Sequence, residues 1–332
     1  VAGAGIPKWL QYVNKFPLGM IINGEFWVCV FAILSGYLLN KKDIRNGADL
    51  IKICINRYFR FVIPFFFANF FVYLLYNFVG FSAQKCGMIV NNQWLLNQYT
   101  NAIDFISVVK NSLMLGNELN NNFWIIKHML LGSWLIYISN YVCYKFNNQK
   151  IKIVVAIGLL LFPYTFFIGV TYAGSLLAEV PKKLKFIYQR EKITMIYFVA
   201  MLGLMSGIQN IVAEILKIQW LHINQYWEAF YAMCMLGCIC SENRVLEKFE
   251  KWRIDTFSNQ SMTIYLLHWP IICSFSTWCF IKLIEMRKYN NFLIYYFGTL
   301  IITSIVLLIS VYLYGKVFGR ISNAFLRRLT FR

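Results

Sequence analysis

The chain has 332 residues, of which 59% are hydrophobic, 18% aromatic and 14% charged, with a formal net charge of +18 and a mean hydropathy of +0.55. A soluble domain carries about 25% charged residues, so the composition excludes an ordinary soluble protein and points to an integral membrane protein. The positive charge does not point to nucleic acid, because it collects in alternate segments between apolar runs.

Apolar runs long enough to span a bilayer predict nine helices, at about 21–39, 61–80, 123–143, 153–167, 168–180, 193–211, 226–241, 257–281 and 292–315. Pro163 and the Gly169–Gly174 stretch blur the division between the fourth and the fifth. These helices must bury one another's polar residues, so the expected fold is all-α, a polytopic membrane helix bundle forming one domain over 1–332. Under alternate crossing, segments 40–60, 144–152, 181–192, 242–256 and 316–332 hold 23 Lys or Arg, and the opposite segments hold 8, with Lys127 at the start of a helix. That is the positive-inside pattern, with the richer side in the cytoplasm. Residues 1–20 then fall outside, without a basic and apolar leader to carry them across. One more helix is therefore expected upstream of Val1, which makes ten with both termini inside.

Residues 1–20 read as an external loop broken by Pro7 and Pro17. In the first predicted helix the small pair Ser35-Gly36 lets another backbone approach closely. Next, Asn56-Arg57-Tyr58-Phe59-Arg60-Phe61-Val62-Ile63-Pro64 places Arg57 and Arg60 at i,i+3 on one helix face. Arginine is planar, permanently charged and grips phosphate bidentately. The pair is thus a candidate phosphate site, although basic residues at a cytoplasmic helix end also follow from topology and snorkel toward headgroups. The seven phenylalanines of 61–80 read as packing and lipid-facing surface.

Segment 81–122 reads as a long, Asn-rich external loop with an amphipathic patch around Ile103–Leu115, suited to recognising a polar acceptor or to covering a surface. Trp124 opens the next helix as an interface anchor, and Lys127 and His128 fit its wet rim. Further on, helices alternate with basic loops, whose Lys182, Lys183, Lys185, Arg190 and Lys192 offer Glu179 an ion-pair partner. His222, between Trp220 and Trp227, reads as interfacial. The nine cysteines lie mostly in apolar runs without zinc-ligand spacing, so they read as packing residues and no metal is expected.

At 256–272 a polar run, Ser258 to Ser261, opens an apolar helix that holds His268 more than two turns inside, one of three histidines in the chain. An ionisable group at such depth costs roughly 2–4 kcal/mol and usually faces a bundle interior or a cavity. A neutral imidazole donating to a backbone carbonyl of a neighbouring helix is the alternative to a functional role.

Four of these stretches resemble the acyltransferase family 3 membrane proteins. Tyr265-Leu266-Leu267-His268-Trp269-Pro270, after Phe257-Ser258-x-x-Ser261, is similar to the family's late motif. Val28, Phe31, Ser35, Gly36 and Tyr37 fit its Val-x-x-Phe-Phe-x-x-Ser-Gly-Phe run, from which Ala32 departs. Arg57, Arg60 and Pro64 fit an Arg-x-x-Arg…Pro pattern. Trp124, Lys127, Gly132 and Ser133 fit Trp-x-x-Lys-x-Glu-x-x-Gly-Ser, with Met129 where the pattern carries glutamate.

The resemblance covers about residues 23 to 272. It implies a multi-pass enzyme of the cell membrane, often the bacterial plasma membrane, that moves an acyl group, commonly acetyl, from cytoplasmic acyl-CoA to a sugar hydroxyl, often of a surface polysaccharide. Arg57 and Arg60 would bind the donor, His268 would support catalysis, and Ser35, Trp124, Lys127 and Tyr265 are further site candidates. The family's catalytic histidine follows an arginine in its first helix, which is expected upstream of Val1. The implied partners are acetyl-CoA or another acyl-CoA as co-substrate, a carbohydrate or glycolipid acceptor, and the bilayer; no bound cofactor and no nucleic acid are implied. Three rivals stay open. A transporter or flippase of a lipid-linked sugar would use the same aromatic helices, basic rim and buried polar residues. An O-acyltransferase of the unrelated barrel-like membrane family is disfavoured by the Arg-x-x-Arg and Tyr-x-x-His-x-Pro motifs. A non-catalytic relative is favoured by Met129, and would be by a real absence of the first helix.

Overall fold

The structure, a computed structural model, describes residues 23–40, 44–179, 223–239, 255–286 and 292–329, and every regular element among them is helical. In chain order these are α1 (Gly24–Leu39), α2 (Gly47–Phe78), α3 (Ala83–Val90), α4 (Gln93–Leu96), α5 (Phe105–Met114), α6 (Trp124–Phe146), α7 (Lys150–Leu161), α8 (Phe166–Ala178), α9 (Ile223–Ile239), α10 (Asp255–Ile271), α11 (Thr277–Glu285), α12 (Phe292–Tyr314) and α13 (Arg320–Leu329). Among the described residues, three helical stretches are long and apolar enough to cross a membrane, Gly47–Phe78, Gln260–Glu285 and Ile294–Ser322, and a bent pair counted as one span makes four. The three take in most of the expected spans 61–80, 257–281 and 292–315. The stretches expected as spans at 21–39, 123–143 and 226–241 are helical, as α1, α6 and α9, but are not among those long and apolar enough to cross a membrane. The stretch 193–211 lies outside the described residues, so nine spans are not reached among the described residues.

The fourth and fifth expected spans form a broken pair, Lys150–Leu161 and Pro163–Ala178, bent by 114°. The break falls at Phe162, five residues before the expected boundary. A residue preceding proline is pushed out of the helical region, and Phe162 is extended, with φ −99° and ψ 122°. Pro163 then starts the turn that leads into α8, where a missing N–H costs nothing.

Contacts divide the chain into two compact units. Among the described residues, the first takes in 58–127, 255–286 and 292–329, and the second 23–40, 44–57, 128–179 and 223–239. In the first unit, segment 81–122 is not a loop confined to one end of α2. Asp104 caps α5 by accepting from Ser107 N at 2.9 Å, and a bond to the Ser107 side chain, together with this one, lowers its carboxyl's pKa. The expected amphipathic patch is α5 itself, and it runs back along α2. Phe105 meets Phe70 and Tyr73, Asn69 Nδ2 donates to Ser112 Oγ at 3.0 Å, and Tyr58 Oη donates to Leu113 O at 2.8 Å. Val72, Ile103, Val108 and Leu119 close the apolar core between them. Leu115, at φ 51°, ends α5 in the left-handed region. The chain then turns at Asn121–Phe123, where the Phe123 ring lies 4.1 Å from that of Phe65.

The second unit is built on close helix crossings. A Cβ on Gly36 of α1 would lie 1.8 Å from Thr171 O of α8, and one on Gly174 would lie 2.0 Å from Ile33 O. On α6, a Cβ at Gly132 would meet the Thr171 side chain at 2.8 Å. The role expected of the Ser35-Gly36 pair is thus visible, and α8 is buried from Phe166 to Ser175.

Candidate functional site

In the second unit the crossings gather three residues from separate stretches of sequence. Arg57 Nη2 donates to Ser35 Oγ at 2.8 Å, and Arg57 Nε donates to Ser133 Oγ at 3.2 Å. Ser133 in turn donates to Met129 O at 2.6 Å. Ser35 precedes Gly36 and Ser133 follows Gly132, so the glycines that let α1 and α6 approach Thr171 also present the two hydroxyls. A guanidinium donates in a fixed plane, and these bonds give Arg57, which is half-buried, a defined orientation inside the unit. Arg60, one turn along α2, is exposed. Met129 is buried at 1% exposure and serves packing.

The same unit holds a cavity of about 400 Å³ whose walls include Asn40, Arg45, Asn140, Lys152 and Glu179. Lys152 is buried, pairs with Glu179, and donates to Asn40 Oδ1 at 3.3 Å; Asn40 Nδ2 donates to Glu179 at 3.0 Å. Sequence reasoning looked for the partner of Glu179 in the following loop. The partner among the described residues comes from the preceding helix, because the sharp bend at Pro163 returns the end of α8 toward the start of α7. Asn140 Oδ1, also on the wall, is buried without a hydrogen-bond partner among the described residues.

In the first unit, Tyr265 and His268 form a closed ring with Asn122. His268 Nδ1 lies 2.8 Å from Tyr265 O and 3.1 Å from Ile264 O. Carbonyls only accept, so Nδ1 carries the proton and Nε2 offers a lone pair. Asn122 Nδ2, at 2.8 Å, donates to Nε2, and Tyr265 Oη donates to the backbone carbonyl of Asn122. The histidine does donate to carbonyls, but to those of its own helix rather than a neighbour's. Asn120 ties the turn down at a second point. Pro270 has no N–H for Leu266 O, and Asn120 Nδ2 reaches that oxygen at 3.4 Å. Asn120 Oδ1 also accepts from Asn122 N at 3.3 Å.

Trp124 and Lys127 stand on the first turn of α6, directly after this asparagine turn, Trp124 half-buried and Lys127 exposed. The sequence candidates therefore sort into Ser35 with Arg57, and Tyr265 with His268. Sequence reasoning passed over Asn120 and Asn122, whose one signal is the run Asn120-Asn121-Asn122 ahead of Phe123-Trp124.

A family model described as an acyltransferase domain matches residues 2–311. Neither a curated protein nor a solved structure matches the chain. The matched region contains both constellations and all three membrane-length helical stretches, the last of which runs on past its end. The chain is a membrane protein that belongs to acyltransferase family 3.

Proposed function

We propose that the protein is a multi-pass O-acyltransferase that moves an acyl group, acetyl in the simplest case, from acyl-CoA on the cytoplasmic face to a hydroxyl of a sugar or glycolipid, in a bacterial plasma membrane. The observation that carries this reading is the meeting of three family-like stretches at one guanidinium. Ser35, Arg57 and Ser133 are dispersed in sequence, and two hydroxyls hold the arginine half-buried in one orientation. With Arg60 on the same helix, Arg57 offers forked donors to the phosphates of the donor.

The chemistry asked of the site is the attack of a hydroxyl oxygen on a thioester carbonyl. The O–H proton leaves the acceptor, the new C–O bond forms, the C–S bond breaks, and the thiolate leaves and is protonated. A positioned proton acceptor contributes typically 10²–10⁴-fold to such a step. With its Nδ1–H given to backbone carbonyls, His268 serves this reaction through Nε2, as an acceptor that orients the incoming hydroxyl.

Purified protein in lipid nanodiscs, given labelled acetyl-CoA and membrane carbohydrate, should transfer the label. A transporter would move lipid-linked sugar with no need of acetyl-CoA, and that result would remove the enzymatic reading. His268→Ala should lower transfer by roughly 10–10³-fold, and His268→Gln should recover part of the loss. Wild-type transfer by both variants at equal folded abundance would leave His268 a satisfied core residue.

A further inference from the structure

We infer that Asn122 is an acceptor-binding residue: the acceptor hydroxyl inserts between the Asn122 amide and His268 Nε2, accepting from one and donating to the other. This rests on the reading of His268 given above. The geometry supplies a donor and an acceptor that face each other, Asn122 Nδ2–H and the Nε2 lone pair, 2.8 Å apart. A hydroxyl can enter such a bond and leave neither side unsatisfied, because its oxygen accepts while its hydrogen donates. An ether or an ester could take the Asn122 donor but would leave Nε2 unserved. The pair therefore selects for a free hydroxyl, which is what an acyl acceptor must present and what its acylated product no longer has.

Both partners are anchored independently of the bond between them, so the pair can open without the site collapsing. His268 stays fixed through Nδ1 to Tyr265 O and Ile264 O. Asn122 stays fixed through its backbone, whose carbonyl accepts from Tyr265 Oη and whose N–H donates to Asn120 Oδ1. Only the Asn122 side chain has to turn. Asn122, Tyr265 and His268 are all partly exposed, so the ring is not sealed from its surroundings.

The test uses the whole protein in nanodiscs and diethyl pyrocarbonate, which carbethoxylates an unprotonated imidazole nitrogen, with the product at each histidine quantified by mass spectrometry. A neutral hydrogen bond of this kind changes an equilibrium by roughly 2- to 10-fold. Asn122→Ala should therefore speed modification of His268 by that factor and leave His128 unchanged, which separates a freed Nε2 from general loosening. Transfer of labelled acetyl to membrane carbohydrate should fall by a similar factor in Asn122→Ala. It should fall at least as far in Asn122→Asp, which keeps the size but has no N–H to give. An unchanged carbethoxylation rate in Asn122→Ala, or full transfer by Asn122→Asp, would overturn the proposal. Full transfer by His268→Ala would instead overturn the underlying reading of His268, while the carbethoxylation result would still report on the Asn122 contact.

Discussion

Replacing Gly36 by alanine tests the packing that holds Arg57 in place. The new Cβ would sit 1.8 Å from Thr171 O and 3.0 Å from Thr171 C, and ordinary contact begins at 3.4 Å. Both atoms are backbone, so neither can swing aside as the tip of a side chain can. Helices α1 and α8 would have to part by roughly 1.5 Å, in an interior that is close-packed. The contact is reciprocal at Gly174 against Ile33 O, so sliding the helices does not relieve it. Overpacking costs about 1–3 kcal/mol, and opposed backbones place Gly36→Ala at the upper end, near ~3 kcal/mol.

Ser35 moves with α1, so the variant should also lose part of the Arg57 bond and with it part of any donor affinity. Gly158 supplies the control. It lies within α7, and a Cβ there would meet nothing within 4 Å. Alanine at 158 should therefore stabilise by up to about 1 kcal/mol through helix propensity. Reversible unfolding of the two variants in mixed detergent measures both. If Gly36→Ala unfolds within about 0.5 kcal/mol of the parent, α1 and α8 do not approach as described.

Arg57→Lys should raise the KM for acetyl-CoA nearly as much as Arg57→Ala, since one ammonium cannot reproduce the fork that reaches Ser35 and Ser133; unchanged donor kinetics in both would reduce Arg57 to a topology anchor. Glu179→Gln leaves the buried Lys152 ammonium with amide partners alone and should cost about 3 kcal/mol, the low end for a broken buried pair because Glu179 is 35% exposed. An unfolding midpoint equal to the parent's would show that Lys152 has another stabilising partner. Cysteine at Ile106, exposed on α5, should react slowly with a membrane-impermeant maleimide in intact membranes, because α5 lies along the apolar length of α2. Cysteine at Met88, on α3, should react fast; equal rates at the two sites would put α5 in water.

What could be read from residues alone was whatever one helix decides by itself. The all-helical class, the long apolar stretches of α2, α10 to α11 and α12, and the use of Gly36 for close approach follow from composition and from the absence of a side chain. The break near Pro163 was legible too, but it was placed too late, because proline acts on the residue before it and the glycines of α8 look like a better breaking point. Those glycines are packing surfaces, as Gly174 against Ile33 shows. The path of 81–122 was not legible. Nothing in Ser112 or Leu113 announces Asn69 or Tyr58, which are 43 and 55 residues away, and a polar, Asn-rich stretch looks like solvent-exposed loop until its partners are known.

The asparagine turn shows most clearly what a single helix cannot disclose. Pro270 removes a donor from the helix, so the sequence already implies that Leu266 O needs a partner from outside. His268, two residues on from Leu266, has one nitrogen committed to its own helix and so presents a second acceptor. The late motif therefore creates two acceptors spaced i,i+2 along one helix. Asn120 and Asn122 are two donors with the same i,i+2 spacing, and each lies 146 residues before its target. One turn satisfies both acceptors at once, and Tyr265 returns a hydrogen bond to that turn. The demand was readable in the Tyr-x-x-His-x-Pro stretch. Its supplier was not, because an asparagine offers its amide equally to water, to its own backbone or to a distant helix, and only the packing of the first unit decides among them.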